Sequence, residues 1–362
     1  MNNFREVELL SRKTVGDSGT ETIDIDVTEP ITELTVRMYF KNDTAQADEV
    51  PPESCVSKIE LVDGGRVYAS INGYEATAMA WYDKLKWPSA WYSAYLSEGS
   101  HVEWPLQFGR YLGDPQYAFS PTRLLNPQLK VTWAKNALHL TAVSTLEVNA
   151  KLMEGVSAPS QALLTKAIKT WTTLDSGIVE VDLPTDYPYR RIYFRSFENQ
   201  SYLGNQWTNF KMECDVGKLI LFEMEDDELM SLMERIWGRA DYSEFIVVDD
   251  GAYHQSHLGF CMHGSFNAFN LSVLVQGSTT LPGYVRMYAR EIGAGAAQND
   301  VKTDCRFYGL APENTYCYPF GRQDDPTTWF NAPGYGSVKL KITEANAGGA
   351  ASVLVQQPIP LP

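Results

Sequence analysis

Apolar and polar positions alternate in short runs along most of the chain, and the clearest such run is at residues 58–85. Ile59, Leu61 and Val62 lie on one side of Asp63-Gly64-Gly65, and Val67, Tyr68, Ala69 and Ile71 lie on the other. Two apolar runs split by a Gly-rich turn predict a β-hairpin, because Gly supplies the positive φ that tight turns need. Asn72 follows, with Glu75 three residues later, the signature of a capped helix N-terminus. Tyr74, Ala78, Trp81 and Leu85 then recur at helical spacing, so the pattern predicts a helix over 74–85. The same unit returns at 211–238. Residues 211–214 and 218–222 read as strands around Asp215-Val216-Gly217. Glu225-Asp226-Asp227-Glu228 then opens a helix over 226–237 with an apolar stripe of Leu229, Leu232, Met233 and Ile236, closed by Gly238.

The rest of the chain repeats in the same order. Asp17-Ser18-Gly19 is echoed by Asp175-Ser176-Gly177, residues 23–26 by 179–182, and 37–40 by 191–194. After the hairpin and helix, 129–132 is echoed by 340–343 and 145–148 by 352–355. Each echo is weak alone, since alternating strands look alike; their collinearity predicts two copies of one β-sandwich. Gly155-Val156-Ser157-Ala158-Pro159-Ser160 reads as the linker, dividing residues 1–158 from 159–362. The second copy is longer by roughly sixty residues, and turn-forming composition places part of that surplus in an inserted loop at about 293–336. Its aromatics, among them Phe307, Tyr316 and Trp329, predict a folded projection there.

Composition adds exclusions. The net charge is −15, shared about equally by the two halves, with no Lys/Arg cluster. A nucleic-acid binder needs a basic stripe to neutralise phosphates, so direct genome binding is not expected. The cysteines, Cys55, Cys214, Cys261, Cys305 and Cys317, are odd in number and lack CxxC spacing. They predict free thiols and folding in a reducing compartment, with a Cys305–Cys317 bridge as the only pairing considered. The N-terminal residues lack the apolar core of a signal peptide, and no apolar run approaches a membrane span. Synthesis in a cytoplasm is the expectation.

Candidate chemistry is sparse. His254, His257, Cys261 and His263 are all metal-ligand types, but their spacing matches no standard zinc site. A loop entering a strand accounts for them, and no metal is expected. Glu225 to Glu228 could attract a hard cation, yet carboxylates also complement a helix N-terminus. Asp249-Asp250 and Asp324-Asp325 read as solvated turns rather than a catalytic pair. GxSxG, HExxH and phosphate-loop motifs are missing from the sequence. Trp81, Trp87, Trp91, Tyr92, Tyr95, Trp104 and Tyr111 could stack sugars, but core and subunit contacts use the same residues.

Two consecutive sandwiches, each with a hairpin running into a capped helix, resemble the double jelly-roll major capsid proteins of tailless icosahedral bacteriophages. The resemblance is carried by residues 58–82, with Asp63-Gly64-Gly65, Asn72-Gly73-Tyr74-Glu75 and the pair Trp81-Tyr82, and more weakly by 211–237. It implies an all-β fold of two jelly rolls and a homotrimer whose six barrels tile an icosahedral virion shell. It further implies contacts with neighbouring trimers, with minor and penton capsid proteins and with an internal membrane, and no catalytic residue, cofactor or metal. The alternative is a carbohydrate-binding or carbohydrate-cleaving jelly-roll protein. That reading requires an aromatic-lined groove with convergent carboxylates.

Overall fold

The computed structural model describes residues 3–41, 52–91, 99–135, 143–198, 203–248, 253–256, 261–268, 273–275, 279–281, 284–291 and 301–362, the side chains of 241–308 excepted. The first half holds β1 (Asn3–Val15), β2 (Ser18–Asp24), β3 (Ile31–Lys41), β4 (Val56–Asp63), β5 (Arg66–Ile71), α1 (Gly73–Lys84), β6 (Ala90–Trp91), β7 (Gly99–Gln107), β8 (Pro127–Ala134) and β9 (Ser144–Glu154). Buried and half-exposed positions alternate along β9 from Ser144 to Leu152, as they must when one face of a strand meets a core. A sheet ordered β1-β9-β3-β7-β6 packs against strands ordered β2-β8-β4-β5. Between them lie Leu34, Val36, Trp104, Leu129, Val131, Leu146 and Val148, all fully buried.

The second half follows with β10 (Gln161–Thr172), β11 (Gly177–Leu183), β12 (Arg191–Phe197), α2 (Leu203–Gln206), β13 (Trp207–Cys214), β14 (Leu219–Glu225) and α3 (Asp226–Trp237). An insertion holds β15 (Ala240–Val248), β16 (Tyr253–Ser256), β17 (Cys261–Ala268), β18 (Val273–Val275), β19 (Thr279–Leu281), β20 (Tyr284–Glu291) and β21 (Val301–Leu310). The chain closes with β22 (Thr315–Pro319), β23 (Val338–Glu344) and β24 (Ala350–Pro360). The order of the first barrel returns, with β10-β24-β12-β22 in one sheet and β11-β23-β13-β14 in the other. This is the connectivity of two Greek-key sandwiches. A second core, including Trp207, Phe210, Met212, Leu340, Ile342 and Val353, fills the second barrel.

The barrels share a sheet. β5 lies parallel to β10, paired at Ser70 and Lys166, so the strands of the first barrel continue into the second as one eight-stranded sheet.

Only part of the surplus of the second copy is where composition placed it: β21 (Val301–Leu310) belongs to it, and residues 311–336 do not. Within 293–336, β21 is a regular strand, β22 pairs with β12, and residues 320–337 occupy the link between β22 and β23. The additional strands enter earlier, between α3 and β22. They form a three-stranded sheet ordered β15-β21-β17 and a further sheet in which β20 pairs with β16, β18 and β19. Turn-forming residues signal irregular backbone, which 311–314 and 320–337 are, with short 3-10 turns at Pro312–Asn314, Pro326–Thr328 and Ala332–Gly334. Inserted strands have ordinary strand composition and give no such signal. Of the described aromatics here, several pack on the second barrel. Phe330 stacks on Tyr335 at 5.4 Å and meets Tyr189 at 5.5 Å, on the second barrel.

The two helices stand where the pattern predicts. α1 begins with a full capping box: Asn72 accepts from the Glu75 amide and Glu75 accepts from the Asn72 amide, both at 2.9 Å. α3 buries Leu229 and Met233, whereas Leu232 is half-buried and Ile236 is 42% exposed. The apolar stripe expected to be buried through Ile236 is therefore only half covered. Leu229→Asp should cost several kcal/mol, more than the same change at Leu232, because only Leu229 would leave a charge wholly without water. Thermal unfolding of the two variants measures the difference.

Candidate functional site

The residues where chemistry concentrates lie between the barrels. Arg190 and Arg191 head β12, a strand buried over most of its length. Their guanidinium groups are drawn to one carboxylate, Asp83 near the end of α1. Arg191 Nη1 donates to Asp83 Oδ1 at 2.6 Å, and Arg190 Nη1 lies 3.7 Å from the same oxygen. All three side chains are at most 4% exposed. Buried charges persist only when paired and hydrogen-bonded, and the remaining donors are used. Arg190 donates to Gln356 Oε1 at 2.9 Å and to the Arg110 carbonyl at 3.3 Å. Arg191 Nε donates to Gln323 Oε1 at 2.5 Å, and its guanidinium lies 5.0 Å from the centre of the Trp237 ring. Burial, with Arg191 adjacent, lowers Arg190 to about 10.

This clasp joins both halves. Asp83 and Arg110 belong to the first; Arg190, Arg191, Gln323 and Gln356 belong to the second. Arg110 extends it, holding Asp114 through two bonds of 2.6 and 2.8 Å while donating to the Asp324 carbonyl at 2.9 Å. Tyr82 and Trp237 meet edge to face across the seam at 5.3 Å; Tyr82 also donates across it to the Thr315 carbonyl, while Trp237 donates within the second half to that of Cys317. Burial pushes the Cys317 thiol up to about 12, so it packs as an apolar group.

A second buried cluster lies at the root of the insertion. Glu313, 2% exposed, follows β21 in a left-handed conformation with φ of 53°, flanked by Ala311 and Asn314 with φ of 56° and 51°. Glu53 is buried nearby, and Arg195 lies 4.5 Å from the Tyr74 ring centre. Burial pushes the Glu313 carboxyl well above the usual carboxylate range; Glu53 adds to this and Arg195 opposes it. Across the seam, Ser352 donates to Glu75 Oε1 at 2.5 Å, tying β24 to the α1 capping box.

One open groove of about 610 Å³ runs along the β5–β10 joint, lined in part by Arg66, Tyr68, Lys166, Asp182, Asp186 and Tyr187. Asp182 is 91% exposed and lies 3.7 Å from Lys339. The groove therefore lacks the convergent buried carboxylates that sugar cleavage would require.

No family model matches the chain, and no curated protein does. Solved structures do. The major capsid protein of Sulfolobus turreted icosahedral virus superposes with a TM-score of 0.61 at 9% identity, over 99% of this chain and 97% of that one. The VP54 protein of PBCV-1, as fitted into the Sputnik virophage, gives 0.60 at 10% identity over 99% and 94%. The major capsid protein P2 of bacteriophage PM2 gives 0.56 at 11% identity over 99% and 98%. The chain is a double jelly roll.

The double jelly roll places the candidates from sequence as follows. His257, Asp249 and Asp250 lie outside the described residues. His254 falls on β16, and Cys261 and His263 fall on β17; their side chains lie outside the described residues as well. Among the described residues no three His, Cys, Asp or Glu side chains converge as a metal-binding group. Asp226 accepts from the Tyr316 hydroxyl at 2.8 Å, and burial raises it to about 6. Asp324 and Asp325 are exposed turn residues held low by hydrogen bonds, chiefly from Arg322 and Thr327 respectively. Trp81 and Trp104 are core residues of the first barrel; Tyr111 is 50% exposed, and Tyr92 and Tyr95 lie outside the described residues. Cys55, Cys214 and Cys317 are free and buried, so the Cys305–Cys317 bridge is not formed.

The clasp residues were not foreseen from sequence. The signal available was Arg190-Arg191 directly ahead of the apolar run Ile192-Tyr193-Phe194, two cations entering a buried strand.

Proposed function

We propose that this chain is the major capsid protein of a tailless icosahedral virus and that its role is self-assembly. The observation that carries this is the full-length match to three viral capsid proteins, in a chain whose two barrels are fused by one sheet and a buried clasp. Such a block suits a tile: a repeating shell unit has to keep the angle between its barrels. In this reading residues 1–158 and 159–362 are the two jelly rolls, and three copies form a pseudo-hexagonal homotrimer. Neighbouring trimers, minor and penton capsid proteins and an internal membrane are its partners, and the virion shell is its location. It carries out no catalysis and needs no cofactor. The insertion between α3 and β22 forms the outward projection.

Light scattering and electron microscopy of the purified protein test the reading. The expected mass is three times the 40.6 kDa of one chain, with hexagonal tiles or shells in the micrographs. A stable monomer that binds glycans would overturn it. EDTA is expected to leave the mass unchanged. Loss of the assembly on chelation would instead direct attention to His254, His257, Cys261 and His263.

A further inference from the structure

We infer that the trimer is closed by adding the β1 edge of one copy to the β14 edge of the next, repeating between chains the joint already made within one. This rests on the trimeric reading above. Within the chain, the joint has two parts. The first is a sheet junction: β5, the second strand of a hairpin leading into a helix, lies parallel to β10, the first strand of the next barrel. The second is a covered helix: α1 carries eight buried residues and is bonded across the seam through Tyr82 and Glu75.

The second barrel presents the same two parts, and among the described residues they are less covered. β14 is likewise the second strand of a hairpin leading into a helix, and it ends its sheet, paired only with β13 among the described residues. Its side chains Leu219 and Ile220 are 39% and 47% exposed. α3 buries two residues where α1 buries eight, and leaves Ile236 exposed beside Leu232. At the other extreme of the chain, β1 is the first strand of its barrel, as β10 is of the second. It is 13 residues long and, among the described residues, paired only with β9. An open strand edge is a template for another strand, and proteins that remain monomeric cover or charge such edges.

The unmatched parts are complementary by repetition. If β14 received β1 as β5 receives β10, the four-stranded sheet of one copy would continue into the five-stranded sheet of the next. α3 would then be covered on the face that α1 already has covered. Each copy offers one β14 edge and one β1 edge, so the contact is head to tail, and it ends in a ring only if the rotation closes. Three copies would place six barrels around that ring with every such joint alike.

Ile220→Asp and Ile236→Asp test this, since both positions are exposed in the single chain and the fold should tolerate a charge there. Each variant is expected to lower the light-scattering mass threefold, to that of one chain, with an unchanged far-ultraviolet dichroism spectrum. Leu125→Asp, at a 99% exposed position between β7 and β8, is expected to keep the wild-type mass. Hydrogen exchange on the wild-type assembly gives an independent reading: the outward amides of β14 and β1 should exchange as slowly as those of β5 and β10. A trimer that survives both Asp variants, or exchanges fast at β14, overturns the inference and leaves the trimeric reading standing. A wild-type chain that is monomeric at every concentration overturns the trimeric reading, and the inference with it.

Discussion

Asp83→Ala is expected to cost about 3–5 kcal/mol, the usual effect of removing one partner from a buried ion pair, and to lower the melting temperature accordingly. The reason is an imbalance of charge. Two guanidinium groups, each at most 3% exposed, share this single carboxylate, and among the described residues no other carboxylate is bonded to either. Without Asp83, Arg190 and Arg191 face each other with neutral acceptors on Gln323, Gln356, the Tyr193 hydroxyl and the Arg110 carbonyl. Two cations in a poorly solvated site repel strongly. Burial, and after it the adjacent Arg191, lower Arg190 to about 10, and without Asp83 both would act with less opposition. The check is a double-mutant cycle with Arg191→Leu. Removing the second cation relieves the repulsion, so the double variant should be less damaged than the two single losses added together. Simple additivity would show that the three groups do not act as one unit, and the clasp would then be only packing. Because Asp83 belongs to the first barrel and the arginines to the second, the loss should also separate the barrels' unfolding into two transitions.

How much of this was legible in the sequence divides along a physical line. Alternation of apolar and polar residues reports which face of a strand meets a core, so β9, β23 and both hairpin–helix units could be placed. Caps report local backbone, so Asn72 and Glu75 marked the start of α1 correctly. Contacts between elements far apart in sequence leave no periodic trace. Nothing local to Asp83 distinguishes it from a solvated residue at the end of a helix, and its partners lie more than 100 positions away. The exposure of Ile236 is of the same kind. The helical stripe is real, but how many elements cover it is decided by the second barrel's neighbours, not by α3. The strands inserted ahead of residue 293 are a different failure: composition can mark irregular backbone but cannot tell an added strand from a repeated one.

The second large effect is a dependence on pH set by buried carboxyl groups, and its sign follows from which form the fold prefers. Glu313 is raised well above its ordinary 4.5, first by burial and then by Glu53, with Arg195 acting against both. The folded protein therefore holds a proton on this group at pH values where the unfolded chain has lost it. A group raised on folding adds stability that is fully present below the unfolded value and disappears as pH rises through the folded one. Asp226 acts with the same sign, its contribution fading between about 4 and about 6 as it passes from its ordinary 3.8 to its raised value. Asp114 acts oppositely: despite its burial, Arg110 and two backbone amides hold it low, so its contribution is lost in acid. Stability should therefore peak in mildly acidic solution and decline toward alkaline pH. Glu313→Gln keeps the side-chain shape and removes the ionisation. At pH 9 the variant is expected to exceed the wild type by about 1–3 kcal/mol, the scale of an unsatisfied buried polar group. At pH 5 the two should be nearly equal. Melting temperatures from pH 5 to 9 give the answer directly: parallel curves would mean that Glu313 does not set the decline. A steeper fall in the wild type would locate it at residues 311–314, where three left-handed residues lead from the insertion back into the second barrel. That is the segment which ionisation would drive outward, because a charged Glu313 would be buried beside Glu53, with Arg195 opposing the repulsion.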